Sequence, residues 1–253
     1  VAKNHKNFNN QVGLPLSILA ASGAEDAWIM EAGISKPHDM DELGVVVAPD
    51  VALVLNIGPA HLEGLGSLAG VAQAKASLLR HVRPAEEGGT PLCSRDYPEL
   101  WSAAKAFRPD VVGFSAKDPG ARYFARFLEA LEDGRGRFEI SVAGERVSAV
   151  LPACGTHFAE NAAAVAAICH TLGHSAADIA AGLDGCTLPE QRFCCSMRGG
   201  WCVVDDTYNA NPLSMRRSIE AARLLAGEGR LVLVLGDMKE LGAGAAKAHE
   251  DLG

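Results

Sequence analysis

The sequence predicts an α/β fold built on a mainly parallel sheet. Short apolar runs of strand length alternate along the chain with segments of helical periodicity, as in folds of this class. Of the 253 residues, 48% are hydrophobic and 21% are charged, which is typical of a globular chain with a substantial core. The net charge is −8 and no basic stripe occurs, so we expect no nucleic-acid partner.

The first 189 residues carry most of the predicted elements. Buried strands are predicted over 26–33, 51–58 and 110–115, a hairpin turning at 143–145 over 137–152, and helices over 156–173 and 175–183. The pattern then restarts, with strands over 200–208 and 230–237 and helices over 211–227 and 244–253. We therefore place a domain boundary near 187–191, which gives domains 1–189 and 190–253, the second one cut short.

Apolar runs and cysteines indicate the compartment. The longest apolar runs are strand-sized, so no membrane insertion is expected, and the visible start carries no signal peptide. The seven cysteines are odd in number and show no CxxC spacing. We interpret them as reduced thiols of a cytoplasmic protein.

A lysine interrupts the apolar stripe of one predicted helix. The segment 67–82, capped by Ser67, places Lys75 on the face that carries its leucines and valines. A buried ammonium is costly unless it is paired or chemically altered. Lys75 either extends its charged end to water or belongs to a site.

Two polar residues follow predicted strands next to this helix. Glu31 ends one strand, and His61 comes five residues after Asn56 of the next. Ligands of open parallel sheets bind beyond the carboxyl ends of the strands. Glu31 and His61 could bind a divalent cation, whereas a lysine could do so only after conversion to a carbamate by CO2.

Six sequence blocks in order resemble the Mur ligases: "KNFNNQVGLPLSIL", "EAGISKPHDMDEL", "VAPDVALVLNIGPAHLEGLGSLAGVAQAKASLL", "GTHFAENAAAVAAI", "VVDDTYNANPLSM" and "VLVLGDMKELG". The resemblance is strongest to the branch that adds D-alanyl-D-alanine to a UDP-N-acetylmuramoyl tripeptide. It implies an ATPase-type central domain followed by the start of a Rossmann-like α/β domain. Lys6 and His38 stand where many members have glycine, a departure that bears on loop geometry there.

The resemblance also implies roles for particular residues. Glu31, His61 and Lys75 would serve catalysis as the Mg²⁺ site, with Lys75 carbamylated. The residues implied in ATP binding are Asn161, Arg192, Asp206, Tyr208 and Asn209, and those near the substrates are Asn9, Asn10 and Asn211.

The family's phosphate-binding loop, GxxxxGK[ST], does not occur in these 253 residues. In the family this loop lies just upstream of the "NFNN" block, so we interpret the sequence as a fragment that is inactive alone.

For the intact protein, the resemblance implies an ATP-dependent carbon–nitrogen ligase of peptidoglycan precursor synthesis. Such a protein would act through an acyl phosphate and serve cell-wall biogenesis, cell shape and division. It would be a cytoplasmic monomer with UDP-N-acetylmuramoyl tripeptide and D-alanyl-D-alanine as partners. Two alternatives stay open: a sister ligase, including the folylpolyglutamate type, and a non-catalytic nucleotide- or metal-binding relative.

Overall fold

The computed structural model describes residues 1–59, 62–239 and 241–253, of which 62, 63 and 243 are described by their backbone alone, and it confirms the α/β class. The described chain forms two compact units. One comprises residues 1–93 and 97–112, and the other comprises residues 94–96 and 113–253. The predicted domain boundary at 189/190 stays a prediction.

The first unit combines short parallel strands with helices. Its elements are β1 (Ala2–Lys3), α1 (Gly13–Leu19), β2 (Trp28–Ile29), α2 (Asp39–Val47), β3 (Val51–Val54), α3 (Leu62–Leu65), α4 (Leu68–Ala76), β4 (Thr90–Ser94) and α5 (Pro98–Phe107). Strands β1 and β2 pair in parallel, and so do β3 and β4. The core of this unit contains Val54, Val71, Leu79 and Leu100.

The helix that carries Lys75 is shorter than predicted. Ser67 caps α4 as expected, with its hydroxyl accepting a hydrogen bond from the Gly70 amide at 3.1 Å. The predicted continuation to residue 82 tightens after Ala76 into a 3₁₀ turn over Ser77–His81. The predicted apolar stripe is only partly buried, since Val71 and Leu79 are buried whereas Leu68 is 38% exposed.

The second unit is built mainly of antiparallel strands and two longer helices. Its elements are β5 (Val112–Ser115), β6 (Tyr123–Ala130), β7 (Gly136–Val142), β8 (Glu145–Leu151), α6 (Thr156–Thr171), α7 (Ala176–Asp184), β9 (Cys194–Arg198), β10 (Trp201–Asp205), α8 (Pro212–Ala226) and α9 (Ala245–Glu250). Strands β5 and β6 are parallel, whereas β6, β7 and β8 form an antiparallel meander. Helix α6 packs on β6 and β7 through buried alanines.

The predicted hairpin is confirmed as β7 and β8. Val142 pairs with Glu145 across a two-residue turn of Ala143 and Gly144. Both turn residues have positive φ, 52° and 100°, which is the type I′ pattern whose twist matches the flanking strands.

One predicted strand is not formed. Residues 230–237 are irregular, and the side chain of Val234 is 93% exposed. A strand requires a hydrogen-bonded neighbour, and no pairing involves this segment in the described part of the chain. Conversely, the predicted elements do not include α1, α2, β4, α5, β6 and β9.

The described part of the chain has neither a membrane-spanning helix nor a disulfide. No helix among the described residues is both long and apolar enough to cross a bilayer, and all seven cysteines are free.

Lys6 and His38 adopt positive φ, 51° and 78°. These are the two positions where the resemblance places glycine in many members, and left-handed backbone is the conformation that glycine adopts most readily.

Candidate functional site

In the first unit, Glu31 is fixed from both sides by asparagines. Asn9 Nδ2 donates to Glu31 Oε1 at 2.7 Å. The side chain of Asn4 accepts from the Glu31 amide at 2.7 Å through Oδ1 and donates to the Glu31 carbonyl at 3.1 Å through Nδ2. The Gly33 amide donates to the Asn9 carbonyl, and a Cβ at Gly33 would lie 2.8 Å from Asn9 Oδ1. The exposed carboxylate of Glu31 is therefore held just beyond β2.

Asn10, expected near the substrate, has a local structural contact. Its Oδ1 accepts hydrogen bonds from the amides of Val12 and Gly13 at 3.1 and 2.8 Å, at the start of α1. Asn9 and Asn10 thus lie side by side, one bound to the Glu31 carboxylate and the other to the first turn of a helix.

Lys75 lies half-buried on α4 and points to the carboxyl end of β3. Its Nζ donates to the Asn56 carbonyl oxygen at 2.9 Å, two residues beyond Val54, the last residue of that strand. The side chain is therefore directed to the strand end where ligands of such sheets bind.

His61 lies outside the described residues, so its position remains a prediction. Within residues 1–59, 62–239 and 241–253, no three His, Cys, Asp or Glu side chains cluster as a metal site. The predicted Mg²⁺ site combines Glu31 with His61 and a carbamylated Lys75, and it stays a prediction.

In the second unit, Arg192 stacks on Tyr208. The guanidinium carbon lies 3.8 Å from the ring centroid, although both residues are solvent-accessible. The neighbours of Arg192, Gln191 and Phe193, have positive φ of 61° and 56°. Two such residues around one arginine store backbone strain, which is typical of binding sites.

The segment that follows β10 is tied to this strained turn. Asp206 Oδ1 accepts a hydrogen bond from the Phe193 amide at 3.0 Å, and the Tyr208 amide donates to the Gln191 carbonyl at 3.2 Å. The structure therefore brings together three of the residues implied in ATP binding: Arg192, Asp206 and Tyr208.

The remaining predicted residues have different surroundings. Asn209 Oδ1 accepts from the Ala210 amide, and Asn211 caps α8 by accepting from the amides of Leu213 and Ser214. Asn211 thus orders the start of α8. Asn161 lies exposed on α6.

His157 packs in an aromatic cluster with Phe158 and Phe193. Its ring centroid lies 4.2 Å from that of Phe158 and 6.0 Å from that of Phe193. Burial, together with the positive charge of Arg217, lowers the pKa of His157 to about 4. The imidazole is therefore neutral at pH 7 and serves as a packing group.

Sequence reasoning missed an ion pair between Glu160 and Arg217. Glu160 Oε2 lies 3.2 Å from Arg217 Nη2, and Ser94 Oγ donates to Glu160 Oε1 at 3.3 Å. A signal was present, because Glu160 is the only acidic or basic residue, histidine aside, in the alanine-rich segment 156–171.

Comparisons with known proteins identify the family. Residues 1–169 match the model of the Mur ligase middle domain, and residues 191–253 match that of the Mur ligase, glutamate ligase domain. The UDP-N-acetylmuramoyl-tripeptide–D-alanyl-D-alanine ligase of Bacillus subtilis is 31% identical over all of this chain and 53% of its own length.

Solved structures give the same result. MurF from Acinetobacter baumannii superposes with a TM-score of 0.86 at 31% identity, covering 99% of this chain and 54% of that one. MurF from Thermotoga maritima, in complex with ADP, has a TM-score of 0.86 at 29% identity, covering 99% and 56%. The chain spans about half the length of these relatives. The middle-domain match covers more than half of the chain, and the chain belongs to the Mur ligase family.

Proposed function

We propose that the protein containing this chain is an ATP-dependent ligase that joins D-alanyl-D-alanine to UDP-N-acetylmuramoyl tripeptide in peptidoglycan precursor synthesis. The observation that carries the proposal is the 31% identity, over the whole chain, to a ligase of that name. The placement of Lys75 at the end of β3 supports the same proposal from the geometry.

The chemistry needs activation of a carboxylate. A carboxylate is a poor electrophile, and transfer of the γ-phosphoryl group of ATP to the tripeptide carboxylate gives it a good leaving group. The amine of D-alanyl-D-alanine then attacks the acyl phosphate, forming the peptide bond and releasing phosphate. Such transfers depend chiefly on positioning and on offsetting negative charge.

The first unit offers donors that suit Mg²⁺. Magnesium prefers oxygen ligands, and the Glu31 carboxylate is exposed while Asn9 fixes its orientation. Lys75 as an ammonium cannot ligate a metal, whereas as a carbamate it would present two oxygens. Glu31, His61 and carbamylated Lys75 would therefore hold the ion, which would offset charge between the phosphates and the carboxylate.

The second unit would bind the nucleotide. Arg192 presents a cation over the Tyr208 ring, and Asp206 accepts a hydrogen bond from the amide of Phe193 in the adjoining turn. Asn161 and Asn209 complete the proposed ATP contacts, and Asn9, Asn10 and Asn211 those near the substrates. We further propose a middle domain over 1–189, a second domain from 190, a monomeric state and a cytoplasmic location.

The experiment measures phosphate release from ATP by the protein at its full natural length. UDP-N-acetylmuramoyl tripeptide supplies the carboxylate that is phosphorylated. D-alanyl-D-alanine, single amino acids or glutamate are offered separately as the amine. The expected result is release that depends on D-alanyl-D-alanine and on the tripeptide together.

Each other outcome identifies an alternative. Release with a single amino acid or with glutamate would overturn the substrate assignment and favour a sister ligase. Folded protein that binds ATP but turns over with no amine would overturn the enzyme assignment and leave a nucleotide-binding relative.

A further inference from the structure

Glu160 is the only buried charged residue in the described part of the chain, with 3% of its surface exposed. Its carboxylate pairs with Arg217 on α8 and accepts a hydrogen bond from Ser94 at the end of β4. A buried carboxylate is tolerated only where such partners compensate its loss of hydration. The mechanism proposed above uses neither Glu160 nor Arg217.

Arg217 belongs to a face of α8 that packs on the start of α6. Ala221, one helical turn beyond Arg217, is 1% exposed, and its carbonyl accepts a hydrogen bond from Cys154 Sγ at 3.7 Å. A Cβ at Gly155 would lie only 2.9 Å from Ala221 Cβ. Helix α8 therefore closely approaches the residues just before α6 at Ala221, and the ion pair to α6 lies one turn nearer the start of α8.

The start of α8 is continuous with the segment 205–211. Asn211 caps the helix through two amide hydrogen bonds, and the Ser214 hydroxyl accepts from the Asn211 amide in return. This cap joins the helix and the segment into one piece. A shift of α8 would therefore move Tyr208 and Asp206, which contact the strained turn at Arg192.

We propose that Glu160 and Arg217 are positioning residues, whose ion pair fixes α8 against α6 and so holds the segment 205–211 in the conformation that nucleotide binding requires. This inference rests on the proposed function for its nucleotide part. The packing part stands on the buried ion pair and the close approach of Gly155 to Ala221.

The test uses the protein at its full natural length, with the variants Arg217→Met and Glu160→Gln. The matched controls are Arg216→Met and Glu220→Gln, which change exposed neighbours on the same helix. Hydrogen exchange reports on residues 205–226, and calorimetric titration with ADP gives the dissociation constant. The double variant Glu160→Gln/Arg217→Met removes both charges.

We expect Arg217→Met to raise exchange rates in 205–226 and the ADP dissociation constant by about tenfold each, with both controls unchanged. The double variant should lie closer to the unmodified protein than Arg217→Met does, because it leaves no unpaired buried charge. A raised KM for ATP with an unchanged KM for D-alanyl-D-alanine would separate positioning from general loss of structure.

Two results would overturn the proposed role of the ion pair. If the hydrogen-exchange rates of residues 205–226 were the same in Arg217→Met as in the unmodified protein, the packing role of the ion pair would be overturned. Faster exchange with an unchanged ADP dissociation constant would overturn the positioning role. If the unmodified protein bound ADP but did not ligate, the proposed function would fail while this inference still held.

Discussion

The Lys75 ammonium nitrogen lies 2.9 Å from the carbonyl oxygen of Asn56, just past the end of β3. This hydrogen bond explains how α4 accommodates a lysine on its buried side: the stem is half-buried, and the charged end reaches an acceptor at the edge of the sheet. The same placement directs this side chain to the strand end where ligands of such sheets bind.

Replacing Lys75 by arginine should abolish ligation while the fold is kept. Arginine keeps the positive charge but cannot form the carbamate, so we expect phosphate release to fall roughly 100-fold or more in the full-length protein. The control is Lys105→Arg, on an exposed lysine that donates to the Pro109 carbonyl. Partial recovery of Lys75→Ala by added short carboxylic acids would support a carboxylate role for this position. Activity retained in Lys75→Arg would exclude the carbamate.

The sequence could predict those features of the fold that depend on neighbouring residues. The Ser67 cap and the hairpin turn at Ala143 and Gly144 depend on neighbouring residues alone, and both are confirmed. The wrong strand over 230–237 and the missed strand β4 depend on pairing with distant segments. Pro91 also weakens the local strand signal in β4, although Leu92 and Cys93 are fully buried.

Residues of the candidate site could likewise be predicted only where a local sequence pattern marks them. Lys75 could be singled out because it breaks an apolar periodicity within its own helix. The pair of Glu160 and Arg217 joins residues 57 positions apart in sequence (217 − 160), so no local pattern connects them. The stacking of Arg192 on Tyr208 likewise arises only when the strained turn and the segment after β10 meet.

Removing the Tyr208 ring should weaken nucleotide binding modestly. A cation–π contact at an exposed position contributes about 0.5–1 kcal/mol, so Tyr208→Ala should raise the ADP dissociation constant by roughly two- to fivefold. Tyr208→Phe keeps the ring and should match the unmodified protein. Arg198→Ala, at an exposed arginine of β9, is the control. A Phe variant as weak as the Ala variant would show that the hydroxyl, and not the ring, carries the effect.

His157 should make the second unit less stable in mild acid. Its pKa in the folded protein is about 4, below its usual value near 6.5, because of burial and the charge of Arg217. Between these values the unfolded chain binds a proton that the folded chain does not, so stability falls as pH falls. The loss should reach about 3 kcal/mol near pH 4 and level off as pH falls further below the folded-state pKa.

Urea unfolding at several pH values measures this dependence. His157→Phe should remove it, since phenylalanine fits an aromatic cluster and does not titrate, whereas the exposed His174→Gln should leave it intact. An undiminished acid slope in His157→Phe would assign the effect to another group.

A methyl group at Gly155 should loosen α8 from α6. Gly155 has φ 114° and ψ 156°, a region nearly restricted to glycine, and a Cβ there would lie 2.9 Å from Ala221 Cβ. Gly173 also has positive φ, 92°, but its Cβ would meet open space. Gly173→Ala should therefore cost about 1 kcal/mol of unfolding free energy, and Gly155→Ala at least about 2 kcal/mol. Equal losses in the two variants would mean that the contact with Ala221 adjusts freely.

Restoring glycine at the left-handed positions should stabilise the first unit. Lys6 and His38 have φ of 51° and 78°, a conformation that costs roughly 1–2 kcal/mol for a residue with a side chain. Glycine removes this strain but gives the unfolded chain more freedom, worth about 0.4–1 kcal/mol, so the net gain should be near 0.5–1 kcal/mol per site. Lys36→Gly is the matched control, an exposed residue of the same loop as His38 with ordinary φ, and it should be destabilising. Thermal unfolding of the three variants measures the difference, and a His38→Gly variant no more stable than Lys36→Gly would show that the left-handed turn carries no strain.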